Sequence, residues 1–113
     1  MPTQGMLRTS NESYWDDFGG VVLCPVCGFD YVHMNGVEID QGASIATVDG
    51  DGCRLTARAK ERITQRGSQV TLWMNCESGH TFAQVFRFHK GMTFVRVERD
   101  VAPSDQHPGL WRD

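Results

Sequence analysis

Two short cysteine-containing runs constrain this chain more than any other feature. The first is CPVCG at residues 24–28, and the second is CESGH at residues 76–80. Together they supply three sulfurs and one imidazole, which form a complete ligand set for a tetrahedral zinc ion. We therefore predict one Zn2+ bound by four side chains: Cys24, Cys27, Cys76 and His80.

The residues around these ligands fit tight turns. Pro25 fixes φ inside the first run, and Gly28 and Gly79 allow the positive φ at which a chain reverses direction. Backbone N–H groups in such a turn point at the first thiolate and offset its charge. We expect each run to be a knuckle, meaning a hairpin tip that carries two metal ligands, and we expect the two knuckles to face one another.

The composition is that of a folded protein. The chain has 113 residues, of which 40% are hydrophobic and 22% are charged, and this suits one domain with a modest core. No apolar run is long enough for a transmembrane helix, and the polar residues 1–10 do not resemble a signal peptide. A cytoplasmic location is therefore expected, and the reduced thiols there favour metal binding over disulfides.

Other cysteine chemistries fit the sequence less well. Cys-x-x-Cys also occurs in thiol oxidoreductases, where it opens a helix, but the hairpin expected after Gly28 leaves no room for one. A hydrolytic zinc site keeps one position open for water, whereas three cysteines and one histidine fill all four. The zinc deaminase signature needs His-x-Glu upstream of Pro-Cys-x-x-Cys, and no such histidine precedes Cys24.

Two further residues compete as ligands. Cys53 has no partner at knuckle spacing and lies in a stretch rich in Gly and Asp, so we predict that it is not a ligand. His33 lies near the first knuckle, but we predict that it pairs with Glu38 across a hairpin.

The net charge of −3 is unevenly distributed along the chain. No lysine or arginine lies between Val21 and Cys53, whereas residues 54–66 are basic. A protein that only coats nucleic acid would be more basic than this one. A local nucleic-acid-binding surface is an alternative, formed by Arg54, Arg58, Lys60, Arg62, Arg66 and Lys90.

The first predicted hairpin is centred on the Asn35-Gly36 dipeptide. Residues 21–23 form a short strand before the first knuckle, and residues 29–33 and 37–40 would pair across the Asn-Gly turn, which is a strong hairpin signal. This pairing sets Met34 opposite Val37, and Val32 opposite Ile39.

The middle of the chain gives weaker patterns. Residues 41–53 are rich in Gly, Asp, Ser and Thr and are expected to form a loop. Residues 54–66 carry a thin apolar stripe at helical spacing, formed by Leu55, Ala59 and Ile63, so a basic excursion with a helical turn or two is expected there.

Alternating apolar and polar residues return in the second half. Residues 69–75 predict a strand, and residues 81–88 and 92–98 predict a hairpin around Lys90-Gly91 with His89 opposite Met92. The expected core face of this hairpin carries Phe82, Phe86, Phe88, Val95 and Val97. The opposite face carries Val85, Arg87, Phe94 and Arg96.

These elements predict a mainly β protein. Its domain would be a zinc ribbon over residues 20–100, in which two knuckle-bearing β-hairpins form a small antiparallel sheet and residues 41–67 form a long loop with the basic segment. Residues 1–19 would be an irregular N-terminal arm, and residues 101–113 an irregular C-terminal tail.

The chain resembles a group of small zinc-ribbon proteins of unknown function from actinobacteria and their phages. The resemblance is carried by CPVCG, by YVH and GVE after it, by WMNCESGH at residues 73–80 and by HKG at residues 89–91. It spans about residues 20–99 and is weakest over residues 41–67. It implies the ribbon fold and zinc at the four ligands above, but no activity. A phage origin would place the protein in the host cytoplasm or in a virion.

Our leading functional hypothesis is a non-enzymatic module in which structural zinc supports the binding of a macromolecule, with protein preferred over nucleic acid. The outer side of the sheet would present an aromatic and cationic surface to that partner, formed by Trp73, Arg87, Phe94 and Arg96. The alternatives are nucleic-acid binding through residues 54–66, and a small zinc or thiol enzyme.

Overall fold

The computed structural model describes residues 5–10, 19–57 and 68–102. These residues form strands and irregular segments but no helix, so the prediction of a mainly β protein is confirmed. The strands are β1 (Val32–Asp40), β2 (Ser44–Asp49), β3 (Gly52–Ala57), β4 (Gln69–Cys76), β5 (Thr81–His89) and β6 (Met92–Arg99).

The six strands form one antiparallel sheet with the order β3-β2-β1-β4-β5-β6. The pairing of β1 with β4 joins the two halves of the sheet, and it sets Val32 opposite Cys76. The residues that precede β1 and those that follow β4 therefore meet at the same end of the sheet.

The first half of the sheet differs from the sequence prediction. The prediction of a hairpin at Asn35-Gly36 is wrong, because β1 runs through both residues. The register of β1 against β4 shifts between Met34 and Gly36. A glycine avoids a tight contact here, since a Cβ at position 36 would lie 3.1 Å from the carbonyl oxygen of Val48 on β2. The residue pairs predicted across the Asn-Gly turn are therefore wrong as well.

The loop predicted over residues 41–67 is also wrong in part. Residues 44–49 and 52–57 are β2 and β3, which pair with Asp49 opposite Gly52. A helical turn is excluded for residues 54–57, and the rest of the basic segment lies outside the described residues. The hydrogen bonds that β1 offers outweigh the weak strand propensity of this Gly- and Asp-rich stretch.

The second half of the sheet matches the prediction closely. Strand β4 covers the predicted residues, and β5 and β6 form the predicted hairpin with His89 opposite Met92. Lys90 and Gly91 both have positive φ, at 52° and 79°, as a tight hairpin turn requires.

Alternation along the strands gives the sheet two different faces. We call the side that carries Val70, Leu72 and Met74 of β4 the apolar face, and the side that carries Thr71 and Trp73 the polar face. Phe82 and Val97, which were predicted to be core, are buried on the apolar face, but Phe88 and Val95 are exposed there. Sequence alternation therefore identified the correct face but overestimated how much of it is covered.

One residue that was predicted to be displayed on the polar face is buried instead. Val85 lies in β5, opposite Thr71 of β4 and Arg96 of β6. Val85 is only 1% exposed. Because β5 has a neighbouring strand on each side, a small side chain at its centre is screened by larger ones around it.

The described part of the N-terminal arm packs over the apolar face. The predicted strand at residues 21–23 pairs with this arm through one β-bridge, between Thr9 and Val22. The carbonyl of Arg8 accepts from the N–H of Leu23, and Ser10 donates its N–H to the carbonyl of Val21. Gln84 of β5 is 3% exposed and binds this arm by its side-chain amide. It accepts from the N–H of Leu7 and donates to the carbonyl of Gly5, both at 2.8 Å.

Candidate metal centre

The first knuckle is a turn closed by its own backbone. Cys24 donates its N–H to the carbonyl of Phe29, and Gly28 donates to the carbonyl of Cys24, both at 2.9 Å. Gly28 has φ of 77°, which a residue with a side chain rarely adopts. The N–H of Val26 points at Cys24 Sγ at 3.4 Å, so the expected donation from backbone to thiolate is present.

The second knuckle repeats this plan between β4 and β5. Cys76 donates its N–H to the carbonyl of His80 at 2.9 Å, and Gly79 donates to the carbonyl of Cys76 at 3.0 Å. Gly79 has φ of 97°. The chain thus uses the same device twice, a glycine-dependent turn that closes on its leading cysteine.

Pairing between β1 and β4 brings the two knuckles together. Glu77 donates its N–H to the carbonyl of Tyr31 at 3.1 Å, which extends the ladder beyond the Val32–Cys76 pair. The Nε2 atom of His33 lies 3.0 Å from Oε2 of Glu77, so the predicted pairing of His33 with Glu38 is wrong. This side-chain pair joins β1 to the second knuckle.

The four predicted ligands converge at this point. The ligand atoms of Cys24, Cys27, Cys76 and His80 all lie within 4.8 Å of one another. The Sγ atoms of Cys27 and Cys76 are 3.9 Å apart, and His80 Nδ1 lies 3.3 Å from Cys76 Sγ. Tetrahedral zinc requires sulfur–sulfur edges of about 3.8 Å and sulfur–nitrogen edges of about 3.6 Å, so this cluster could bind such an ion with little rearrangement.

Burial differs among the four predicted ligands. Cys24 and Cys76 are both 0% exposed, Cys27 is exposed, and His80 is half-buried. The two buried cysteines form a core cluster with Met74 and Phe82, against which five partly buried residues pack: Leu7, Val22, Val32, Met34 and Leu72. We call the two knuckles with this cluster the metal end of the sheet.

The surroundings shift the two buried thiols in opposite directions. Burial raises the pKa of Cys24 above its ordinary 9.0, although the N–H groups of Cys27 and Val26 oppose that rise. Burial also acts to raise the pKa of Cys76, but hydrogen bonds from His80 and from the N–H of Ser78 outweigh it and lower the pKa to about 6. Of these two buried thiols, Cys76 is therefore the more readily deprotonated.

The remaining candidate ligands lie elsewhere. Cys53 is exposed on β3, where it faces Val48 of β2, two strands away from β1. In the described residues it is not part of the Cys/His cluster. Sequence reasoning missed the supporting residues Glu77 and Gln84, although a lone Gln among the alternating aromatics of β5 was a visible signal of a special role.

The residues predicted to contact a partner share the polar face. Arg87 lies opposite Phe94, and Arg96 follows two residues later on β6. Trp73 lies on the same face of β4, opposite Ala83. Arg96 forms an ion pair with Glu98 at 2.7 Å.

The residues predicted to contact nucleic acid are only partly described. Arg54 forms an ion pair with the buried Asp49 at 2.7 Å, which offsets its charge. Lys90 is exposed in the turn between β5 and β6. The other four, Arg58, Lys60, Arg62 and Arg66, lie outside the described residues.

Within the described ranges, no helix has the length and hydrophobicity to cross a bilayer. Comparison of this chain with protein-family models, with curated proteins and with solved structures finds no match.

Proposed function

We propose that this chain is a structural zinc module related to the zinc ribbons, and that it binds a macromolecular partner without catalysing a reaction. The observation that carries the proposal is the convergence of three cysteines and one histidine within 4.8 Å at the end of the sheet. Two of these thiols are fully buried in the core cluster, so an ion there would hold the core together.

The donor set favours zinc among the divalent ions. Thiolate and imidazole are ligands that zinc prefers, whereas magnesium and calcium require oxygen. The protein supplies all four tetrahedral positions, and a catalytic zinc would need one of them for water. These points support a structural role for the ion.

Metal analysis of the purified protein tests the zinc assignment. We expect one zinc per chain by elemental analysis, and we expect Co2+ exchanged into the site to show the absorption of a tetrahedral thiolate complex. A chain that is folded while holding far less than one metal ion would contradict the assignment.

A partner surface on the polar face is the second part of the proposal. Arg87, Phe94 and Arg96 lie at neighbouring positions of β5 and β6 there, and Trp73 lies on the same face of β4. Aromatic and arginine side chains are enriched in protein interfaces. The pairing of Arg54 with Asp49 leaves less positive charge for nucleic acid, which supports a protein partner.

Charge reversal at Arg96 tests this surface. We expect Arg96→Glu to weaken partner capture from the native host lysate, while the melting temperature stays nearly unchanged, because an exposed ion pair contributes about 0.2–1 kcal/mol. Lys90→Glu, on the turn beside this surface, is the matched control. Equal partner capture by Arg96→Glu and the wild type would contradict the proposal that this surface binds the partner. Binding of DNA or RNA at low salt that is abolished by Lys90→Glu would favour the nucleic-acid alternative.

A further inference from the structure

The four predicted ligands differ in how easily a molecule in solution can reach them. Cys24 and Cys76 are both 0% exposed, and both belong to the core cluster. His80 is half-buried, whereas Cys27 is exposed and lies outside that cluster. A small reagent dissolved in water therefore reaches Cys27 before it reaches the two other cysteines of the site.

The sulfur of Cys27 also accepts fewer hydrogen bonds than the two buried sulfurs. Cys24 Sγ accepts from the N–H of Val26 at 3.4 Å, and Cys76 Sγ accepts from the N–H of Ser78. Within the residues that the structure describes, no backbone N–H donates to Cys27 Sγ. Hydrogen bonds to a thiolate stabilise its charge and reduce its nucleophilicity, so Cys27 is the strongest nucleophile of the three.

A second thiol lies within reach of Cys27. The Sγ atoms of Cys27 and Cys76 are 3.9 Å apart, and a disulfide brings two sulfurs to about 2.05 Å. The knuckles that carry them are held side by side by the hydrogen bond from the N–H of Glu77 to the carbonyl of Tyr31. An exposed thiolate beside a second cysteine is the arrangement that peroxides oxidise reversibly.

We propose that Cys27 is a modification site for peroxides, and that its oxidation ends in a Cys27–Cys76 disulfide that releases the metal ion. The inference rests on the zinc site proposed above. Zinc keeps its cysteine ligands deprotonated, and the thiolate is the form that attacks a peroxide. Oxidation is then a chemical signal to which this site responds by losing its ion.

The oxidation balances with one molecule of hydrogen peroxide. The thiolate of Cys27 attacks one peroxide oxygen, the O–O bond breaks, and Cys27 becomes a sulfenic acid as hydroxide leaves. The thiolate of Cys76 then attacks the sulfur of Cys27, the S–O bond breaks, and a second hydroxide leaves. The two sulfurs lose two electrons, the peroxide gains them, and the two hydroxides take up protons from the solvent to become water.

The disulfide replaces the ion as the link between the two knuckles. Only Cys24 and His80 remain as ligands, which is half of the set that tetrahedral zinc needs. Residues 27 and 76 stay joined, and they are 49 positions apart, so the new bond constrains the unfolded chain as the ion does. We therefore expect the oxidised, metal-free chain to stay folded, whereas the reduced, metal-free chain unfolds.

Treatment of the zinc-loaded full chain with hydrogen peroxide tests the proposal. The wild type is compared with Cys53→Ser, which removes an exposed thiol outside the site that could form intermolecular disulfides. We expect both chains to release one zinc at the same rate, measured with a coloured chelator. Mass spectrometry of oxidised Cys53→Ser should find one disulfide, between Cys27 and Cys76, and dithiothreitol with added zinc should reverse the change.

Cys27→His removes the exposed thiolate and supplies an imidazole in its place. We expect peroxide to release zinc from this variant about tenfold more slowly or less, because the two sulfurs that remain in the site are buried.

Limited alkylation of zinc-loaded Cys53→Ser is a second measurement, and it does not require Cys27→His to fold. Iodoacetamide should label Cys27 before it labels Cys24 or Cys76.

Four results would overturn the proposal while the zinc site itself stands. One is a zinc-loaded chain that excess peroxide does not deplete of metal. Another is a disulfide between Cys24 and Cys27, and a third is alkylation that begins at a buried cysteine. The fourth is an oxidised, metal-free chain that is as unfolded as the reduced one. A chain that is folded but holds no zinc before treatment would instead overturn the proposed zinc site, and this inference with it.

Discussion

Cys24 and Cys53 show how differently the two sides of this sheet are held. Cys24 is fully buried in a cluster with Met74 and Phe82, whereas Cys53 is exposed on β3, a strand with no buried residue. At the metal end, side chains from the N-terminal arm, from residues 22–24 and from β1, β4 and β5 converge. The β2–β3 hairpin depends on backbone ladders and on the contacts of Asp49 with Asp51 and Arg54. The comparison teaches that strand pairing alone can shape a sheet, but that stability is concentrated where two layers meet.

Substituting one cysteine in each region should give the largest difference in stability and in zinc content. Cys24→Ser removes one of the four side chains of the proposed zinc site. Zinc binding contributes roughly 10–16 kcal/mol in small modules, against a typical stability of about 5–15 kcal/mol. We expect this variant to be unfolded or aggregated and to hold little zinc. Cys53→Ser should keep one zinc per chain and melt within about 2 °C of the wild type. Similar melting of the two variants would refute the contrast.

A smaller effect is expected where the N-terminal arm contacts the sheet. Gln84→Leu leaves the N–H of half-buried Leu7 and the carbonyl of Gly5 without their side-chain partner, at about 1–3 kcal/mol for an unsatisfied group. We expect stability to fall by about 2 kcal/mol in urea unfolding. The Leu7 amide should also exchange its hydrogen faster.

Gln41→Leu is the matched control beside the β2–β3 hairpin. Gln41 is exposed and donates its side-chain amide to the hydroxyl of Ser44, so water can replace the lost bond. We expect a change within about 0.5 kcal/mol. An equal loss in both variants would show that Gln84 does not have a special role in binding the arm.

The smallest expected difference is between two glycine substitutions, one in each region. Gly79 and Gly52 both have positive φ, at 97° and 122°, and a Cβ would meet no heavy atom within 4 Å at either position. Alanine should therefore destabilise each by backbone strain alone, by about 1–2 kcal/mol. Only Gly79→Ala should also weaken zinc affinity, as measured by competition with a chelator, because only Gly79 lies in a knuckle. Equal zinc affinities of Gly79→Ala and Gly52→Ala would contradict this prediction, because they would show that the turn at Gly79 does not affect metal binding.

Sequence alone predicted the Cys/His cluster and half of the sheet because these depend on local signals. Ligand spacing and the Lys90-Gly91 turn act within a few residues, and they identified the four side chains and the register of β5 with β6. The β1–β4 pairing joins residues far apart in the chain, so no local pattern announces it. The Asn35-Gly36 dipeptide gave a wrong hairpin prediction for the same reason. The glycine lies against the carbonyl of Val48, and this tertiary contact cannot be seen in the sequence.

That β2 and β3 belong to the sheet could not be predicted either, because this also depends on non-local pairing. Their Gly- and Asp-rich composition resembles a loop, and only the available edge of β1 makes them strands. The pairing of His33 with Glu77 is likewise invisible until β1 and β4 are adjacent. In this chain, non-local strand pairing accounts for most of what the sequence failed to predict.

The distance along the chain between the two knuckles has a consequence for folding. Cys27 and Cys76 are 49 positions apart, so an ion bound by both acts as a cross-link that closes a large loop. By the estimate used for disulfides, a loop of that size removes about 4 kcal/mol of chain entropy from the unfolded state. Cutting the backbone between β3 and β4 would leave two fragments, each with one half of the ligand set. Metal would then decide whether the two fragments stay together.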